Sequence, residues 1–246
     1  SLFFATFVHI QTKKMDITTR IISPIESELR DFKTQFAAAL DASSDPLLGS
    51  VLAFVADHPG KMMRPVLALL VAKACSGGAL TQDSYSFAAA SELLHNATLL
   101  HDDVADNSAS RRGRPTVMSL FGGRASVLLG DFWLVKAMDR ILDSRSHDVD
   151  GIRCFAKTLS DLAEGEMLQL QKASSADPVE EDYYRIIYNK TASLFEAAAV
   201  TAALSVDASQ EYVAAVREYA VNLGIAFQIK DDMLDTVIEQ LANTEN

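Results

Sequence analysis

Residues 92–116 read ELLHNATLLHDDVADNSASRRGRPT. An apolar run meets three aspartates and then three arginines, in a chain whose formal net charge is -11. Apolar residues recur here at three- and four-residue intervals, the period of a helix. On that helix Asp102 and Asp106 are four apart and Asp103 and Asp106 three apart, so their carboxylates can share one face. They sit near the helix C-terminus, where the macrodipole disfavours negative charge. Close carboxylates also repel unless a cation joins them, and oxygen-only donors suit Mg²⁺, which keeps waters and bridges to substrate phosphates. A solvated acidic helix end explains this segment equally well when it is taken alone.

The chain then repeats the pattern. FQIKDDMLD places Asp231, Asp232 and Asp235 at the same spacing, again within an apolar helical segment. Two such triads can face each other across a cavity and hold several metal ions between them. Cations accompany them. Arg111, Arg112 and Arg114 follow the first triad, and the segment Gly60–Pro65 puts Lys61 and Arg64 at a helix start, beside free backbone N–H groups. Each basic segment alone reads as a surface charge run. Together with the aspartates they describe a site for two polyanionic groups, one held through metals and one by direct contacts.

Outward from this stretch the three- and four-residue period continues, and two-residue alternation is rare. The pattern predicts helices over about 22–41, 45–57, 63–76, 82–106, 123–145, 149–173, 181–206 and 209–238. Gly and Pro mark the breaks between them. The segments 82–106 and 181–206 are apolar on more than one face and belong at the centre of the molecule. The fold class is all-α, a single large helical bundle. With 246 residues and 49% hydrophobic content the chain supports one large core. Residues 1–14 read as an N-terminal extension outside the domain and 15–246 as the domain itself. The apolar run 2–10 is too short to span a bilayer, so no stable membrane insertion is expected. The acidic balance argues against nucleic-acid binding. Cys75 and Cys154, without metal-like spacing, read as free thiols in a reducing cytoplasm.

The segments GKMMRP, ELLHNATLLHDDVADNSASRRGRPT, GEMLQL, KTASLFEAA and FQIKDDMLD resemble, in order, the signature segments of trans-isoprenyl diphosphate synthases. The resemblance runs from about Pro24 to Asp235. It implies an all-α bundle of the isoprenoid synthase type around a central substrate cavity, usually homodimeric, and a condensation of isopentenyl diphosphate with an allylic diphosphate. By this resemblance both aspartate triads bind Mg²⁺ that chelates the allylic diphosphate, and Arg111 contacts that diphosphate. Lys61, Arg64, His95 and Arg112 correspond to the residues that hold isopentenyl diphosphate. Lys190, Thr191 and Gln228 correspond to the lining of the reacting centre, with Lys190 and Gln228 near the allylic group. No side-chain nucleophile is needed, in keeping with the lack of a Ser/His/Asp or Cys/His arrangement.

The product of such a reaction runs from the first triad toward the N-terminus of helix 82–106, at about 5.4 Å per turn. Ala97 and Thr98, one turn before Asp102, form the floor for this chain. Both are small, where family members making short products commonly carry aromatics. A product longer than farnesyl is therefore expected, with Leu94 and Phe87 placed to close the tunnel deeper down. Three other readings are weaker. His101-Asp102 could belong to a metal phosphohydrolase, which leaves the second triad unexplained. A class I terpene cyclase usually carries an Asn/Ser/Glu-type second metal motif. An inactive regulatory subunit of a prenyl synthase often lacks aspartates of the first triad. The family pattern also continues past Asp235 with a Gly-Lys loop and further helices, where this sequence shows TVIEQLANTEN, so the domain is expected to be incomplete after residue 235.

Overall fold

Helix Ser193–Leu204 (α10) has the sequence SLFEAAAVTAAL, and residues 193–203 are all buried. Its many alanines let neighbouring backbones approach closely while still burying apolar surface. Around it the computed structural model describes residues 16–40, 45–56, 60–111, 113–175 and 179–244. The order is α1 (Ile17–Ile22), a 3₁₀ turn (Ser23–Ile25), α2 (Glu26–Leu40), α3 (Pro46–Ala56), α4 (Met63–Ser76) and α5 (Gln82–Ala105). A short hairpin, β1 (Ser110–Arg111) with β2 (Arg114–Pro115), leads to α6 (Val117–Phe121), α7 (Gly123–Leu142) and α8 (Asp148–Ser175). Then come α9 (Glu180–Ile187), a π-helical segment (Tyr188–Ala192), α10 and α11 (Gln210–Thr244). The architecture is all-α, as the periodicity predicts.

Hydrogen bonds at one end of the bundle set the direction of its central helices. Thr81 caps α5 by a reciprocal box with Ser84. The Thr81 hydroxyl also donates to the Ser205 carbonyl (2.9 Å), and the Ser84 and Ser205 hydroxyls lie 2.7 Å apart. The start of α5 is therefore stapled to the end of α10, and the two helices run antiparallel. Just before α8, the backbone N–H groups of Arg145 and Ser146 donate to the carboxylate of Asp83. This places the start of α8 beside the start of α5. The turn after α10, with Asp207 at φ 54, sends α11 back in the same direction as α5 and α8. At 1.5 Å per residue, about twenty residues carry all three helices some 30 Å to the opposite end. There α5 brings Asp102, α8 brings residues 165–169, α11 brings residues 224–232, and α10 begins.

The expected continuous helix over 181–206 is not what forms. Its ladder is interrupted at residues 188–192, where the Ser193 N–H reaches the Tyr188 carbonyl one residue further back than in an α-helix. Two close approaches bracket this bulge. A Cβ on Gly165 of α8 would fall 2.8 Å from Asn189 Cβ, and one on Gly224 of α11 would fall 2.5 Å from Ala192 Cα. Neither is compatible with real packing, so both helices touch the bulge through bare backbone. Near the same point Tyr188 donates its hydroxyl to Glu196 (2.8 Å), and Glu196 also pairs with Arg217. The hairpin at 110–115 and the helix Val117–Phe121 are also absent from the sequence reading, being shorter than any periodic signal.

Gly224→Ala is expected to lower stability by about 1–3 kcal/mol through overpacking against Ala192. Thermal unfolding checks this, and an unchanged Tm would refute the close contact.

Candidate active site

Helix α5 ends in a Schellman motif. Asn107 adopts φ 50, its N–H reaches the Val104 carbonyl (3.2 Å), and the Ser108 N–H reaches the Asp103 carbonyl (2.8 Å). The chain thus leaves the helix directly after the third aspartate. Thr116 closes the following loop, with its hydroxyl on the Ser108 carbonyl (2.7 Å) and its N–H on that of Ala109 (3.1 Å). Between them Ser110 pairs with Pro115 and Arg111 with Arg114, and Gly113 turns the hairpin at φ 75, which favours glycine. This hairpin returns Arg111 to the helix end, where Nε donates to Asp103 Oδ1 at 2.9 Å and a terminal nitrogen lies at the same distance. Arg112 lies outside the described residues.

Asp102 faces a different neighbourhood. Burial, first of all, and then the negative charge of Glu166 push its carboxyl up to about 6, against the pull of Lys190 and Arg111. Glu166 and Gln169 come from α8, one turn apart. Lys190 of the π segment lies 2.6 Å from Glu166 and donates to Gln169 at 2.7 Å. The next residue, Thr191, donates to Gln228 Oε1 (2.6 Å), and Gln228 Nε2 donates to Asp232 Oδ1 (2.7 Å). Tyr183 donates to the other oxygen of that carboxylate (2.7 Å). Burial and Asp232 together push the Tyr183 phenol up to about 12, so it stays a donor at neutral pH. Asp231 is half-buried one residue before Asp232, and the side chain of Asp235 lies outside the described residues.

One end of the bundle therefore gathers Asp102, Asp103, Arg111, Lys190, Thr191, Gln228 and Asp232. Glu166, Gln169 and Tyr183 join them without having been singled out from sequence. GEMLQL carries the first two, and only their placement against Lys190 gives them a role. The other basic locus is separate. Arg64 is buried with its guanidinium 4.7 Å from the centre of the Phe195 ring. It also bears on the buried Glu92, whose carboxyl is raised by burial and drawn down by Arg64. Glu92 lies ten residues, or about 15 Å, before Asp102 on α5. Lys61 is exposed ahead of α4, and His95 is half-buried on α5. Ala97 is buried in the core, and Thr98 bonds back to the His95 carbonyl (2.9 Å). His101 turns toward α7, 3.2 Å from Asp131, which leaves the phosphohydrolase reading without its histidine ligand. A cavity of about 350 Å³ opens between α8, α10 and α11 near Cys154, Lys157 and Arg217, and none of the predicted site residues lines it.

Among the described residues no three or more carboxylate, imidazole or thiol groups stand together in an arrangement that could hold a metal ion. The donors nevertheless fit a hard divalent cation. They are all oxygens, and burial and the neighbouring Glu166 disfavour the charged form of Asp102, a cost that a bound cation removes. Mg²⁺ takes one or two carboxylates together with waters and phosphate oxygens, and an open arrangement suits it.

An all-helical bundle presenting aspartate, lysine and glutamine side chains from separate helices at one end is the isoprenoid synthase type of fold. The chain belongs to the polyprenyl synthetase family, whose defining sequence pattern is matched by residues 45–243. It is 38% identical over 221 residues to the all-trans-nonaprenyl-diphosphate synthase (geranyl-diphosphate specific) of Rhodobacter capsulatus, covering 90% of this chain and 66% of that one. It is 40% identical over 182 residues to the octaprenyl diphosphate synthase of Escherichia coli K12, covering 74% and 55% respectively. A crystal structure of polyprenyl synthase from Caulobacter crescentus CB15, complexed with calcium and isoprenyl diphosphate, matches with a TM-score of 0.81 at 33% identity, over 88% of this chain and 64% of that one. The chain thus spans less than two thirds of the length of each of these proteins.

Because the folded state raises the Asp102 pKa, ionising that group weakens the metal-free fold as pH climbs from about 4 through about 6. Asp102→Asn is accordingly expected to raise stability in EDTA by about 1 kcal/mol above pH 6, after discounting for partial exposure. The gain shrinks toward pH 4. Thermal melts across this range check it, and equal Tm values at pH 7.5 would contradict it.

Proposed function

We propose that this chain is the catalytic part of a Mg²⁺-dependent polyprenyl diphosphate synthase. It joins isopentenyl diphosphate to an allylic diphosphate and makes a trans-polyprenyl diphosphate longer than farnesyl. The observation that carries this reading is the gathering of Asp102, Lys190, Gln228 and Asp232, from two helices and the π segment, at one end of the bundle.

In this reading Asp102, Asp103 and Asp106, with Asp231, Asp232 and Asp235, hold several Mg²⁺ ions. Bound there, Mg²⁺ neutralises charge on the departing diphosphate. Arg111, resting on Asp103 in the free protein, exchanges that partner for a phosphate oxygen of the allylic substrate. Lys190, held in place by Glu166 and Gln169, adds a second fixed positive charge beside the leaving group. The allylic C–O bond breaks with its electron pair on the diphosphate. The isopentenyl double bond then forms the new C–C bond with the cation, and a proton leaves to the released diphosphate. Thr191 and Gln228 direct oxygen dipoles along the reacting centre, and the apolar helices exclude water that would quench the cation. Lys61, Arg64, His95 and Arg112 hold the isopentenyl diphosphate. Arg64 is pre-set for this by Glu92 and Phe195.

The long product is supported by small Ala97 and Thr98 before the first triad, and by the octaprenyl and nonaprenyl synthases to which the chain is similar. A homodimer is supported by α7, where Leu128, Val135 and Leu142 are 68%, 58% and 58% exposed at seven-residue intervals. Such a stripe suits packing against a second copy. Free Cys75 and Cys154 accord with a reducing cytoplasm, and no helix among the described residues is long and apolar enough to cross a membrane.

The reading is tested by a Mg²⁺-dependent condensation assay with isopentenyl diphosphate and allylic primers. Activity is expected to vanish with EDTA and to fall by about 10²–10³ or more in Asp102→Ala. No condensation with any primer would overturn it. Ala97→Phe is expected to shorten the product, read by chromatography of the dephosphorylated alcohols. An unchanged length would remove Ala97 from the product path. Val135→Asp is expected to convert a dimer to monomers in sedimentation velocity, and a persisting dimer would exclude the α7 face.

A further inference from the structure

A carboxylate that holds a metal must present its oxygens in a fixed plane, yet the terminal torsion of aspartate is broad. Asp232 has both oxygens engaged by different donors. Gln228, one turn earlier on α11, donates to Oδ1 at 2.7 Å, and Tyr183 of α9 donates to Oδ2 at 2.7 Å. Each carboxylate oxygen has a further lone-pair position. The two bonds therefore set the plane of the carboxylate. Tyr183 is itself steadied by an edge contact with Tyr184, ring centres 5.8 Å apart.

The two donors also differ in what stands behind them. Gln228 is oriented by Thr191, whose hydroxyl takes its Oε1 at 2.6 Å. Tyr183 lies seven residues before Lys190, on the helix that runs directly into the π segment. Its bond to Asp232 therefore joins the element presenting Lys190 and Thr191 to α11 by a second route.

We propose that Tyr183 is a positioning residue of the second aspartate cluster, fixing the Asp232 carboxylate for divalent-cation binding. This rests on the reading of Asp232 as a metal-holding residue. Tyr183 touches no reacting atom and acts through Asp232 alone. Outer donors of this kind typically change metal affinity about 10–100-fold when removed.

The test is Mn²⁺ binding to the whole chain, followed by electron paramagnetic resonance and calorimetry. Asp232→Asn first identifies the Mn²⁺ site that depends on the second cluster. Tyr183→Phe is expected to weaken that site about 10–100-fold, with no matching loss of Tm in EDTA. Tyr184→Phe is expected to leave it unchanged. In the assay, raising Mn²⁺ to saturation is expected to restore most of the Tyr183→Phe turnover, which a purely structural defect would not allow. An unchanged affinity in Tyr183→Phe overturns the proposal. A tighter affinity overturns it too, since the phenol would then be competing with the cation. Loss of fold in EDTA, read by circular dichroism, assigns Tyr183 to stability and also overturns it. A wild-type chain that binds no Mn²⁺ saturably removes the metal reading itself, an outcome distinct from normal wild-type binding with an indifferent Tyr183.

Discussion

Where α11 crosses the π segment, Gly224 leaves only backbone between itself and Ala192, and Gly165 does the same for α8 at Asn189 and Lys190. The rest of the site depends on this double contact. A side chain on either helix would hold it away from the bulge. Lys190 could then no longer reach Glu166 and Gln169 from one side while Thr191 reaches Gln228 on the other. The bulge inserts one extra residue into the helical turn, and this lets consecutive residues serve two different helices.

The electrostatics follow from that packing. Like charges crowd at Asp102 and Glu166, and opposite charges are interleaved at Lys190 and Arg111. Arg111 reaches Asp103 because a Schellman turn and a short hairpin fold it back onto the helix that precedes it. Charges that look mutually opposed along the sequence become alternating in space. Each pair is partly open to solvent, while the hydrogen-bonded set around Gln228 and Asp232 is tied from several elements. Partly exposed ion pairs thus sit beside a hydrogen-bonded scaffold.

Much of this was legible in the amino-acid sequence. The period of apolar residues predicts α4, α5 and α8 within a few residues, because each is long and amphipathic or buried enough to repeat its pattern. The spacing of Asp102, Asp103 and Asp106, and of Asp231, Asp232 and Asp235, marks both acidic clusters. Three features escaped it. The π segment has the same composition as the helix around it, so nothing local distinguishes residues 188–192. Tyr183 looks like an ordinary residue of an amphipathic helix until Asp232 arrives from 49 residues away. Glu166 and Gln169 are common surface residue types whose role depends on Lys190.

The sequence by itself determined the helical class and the central burial of α5 and α10, and it singled out the acidic and basic residues proposed for the chemistry. Helical period and carboxylate repulsion are local properties, written in residue spacing. Only the tertiary structure decided which of those residues meet. The bonds of Thr81 and Ser84 to Ser205 fix α5 antiparallel to α10, and Asp83 anchors the start of α8 beside them. The two bare glycines then set how closely α8 and α11 approach. These contacts join residues up to 124 positions apart, and no periodicity along the chain encodes a distance across the bundle.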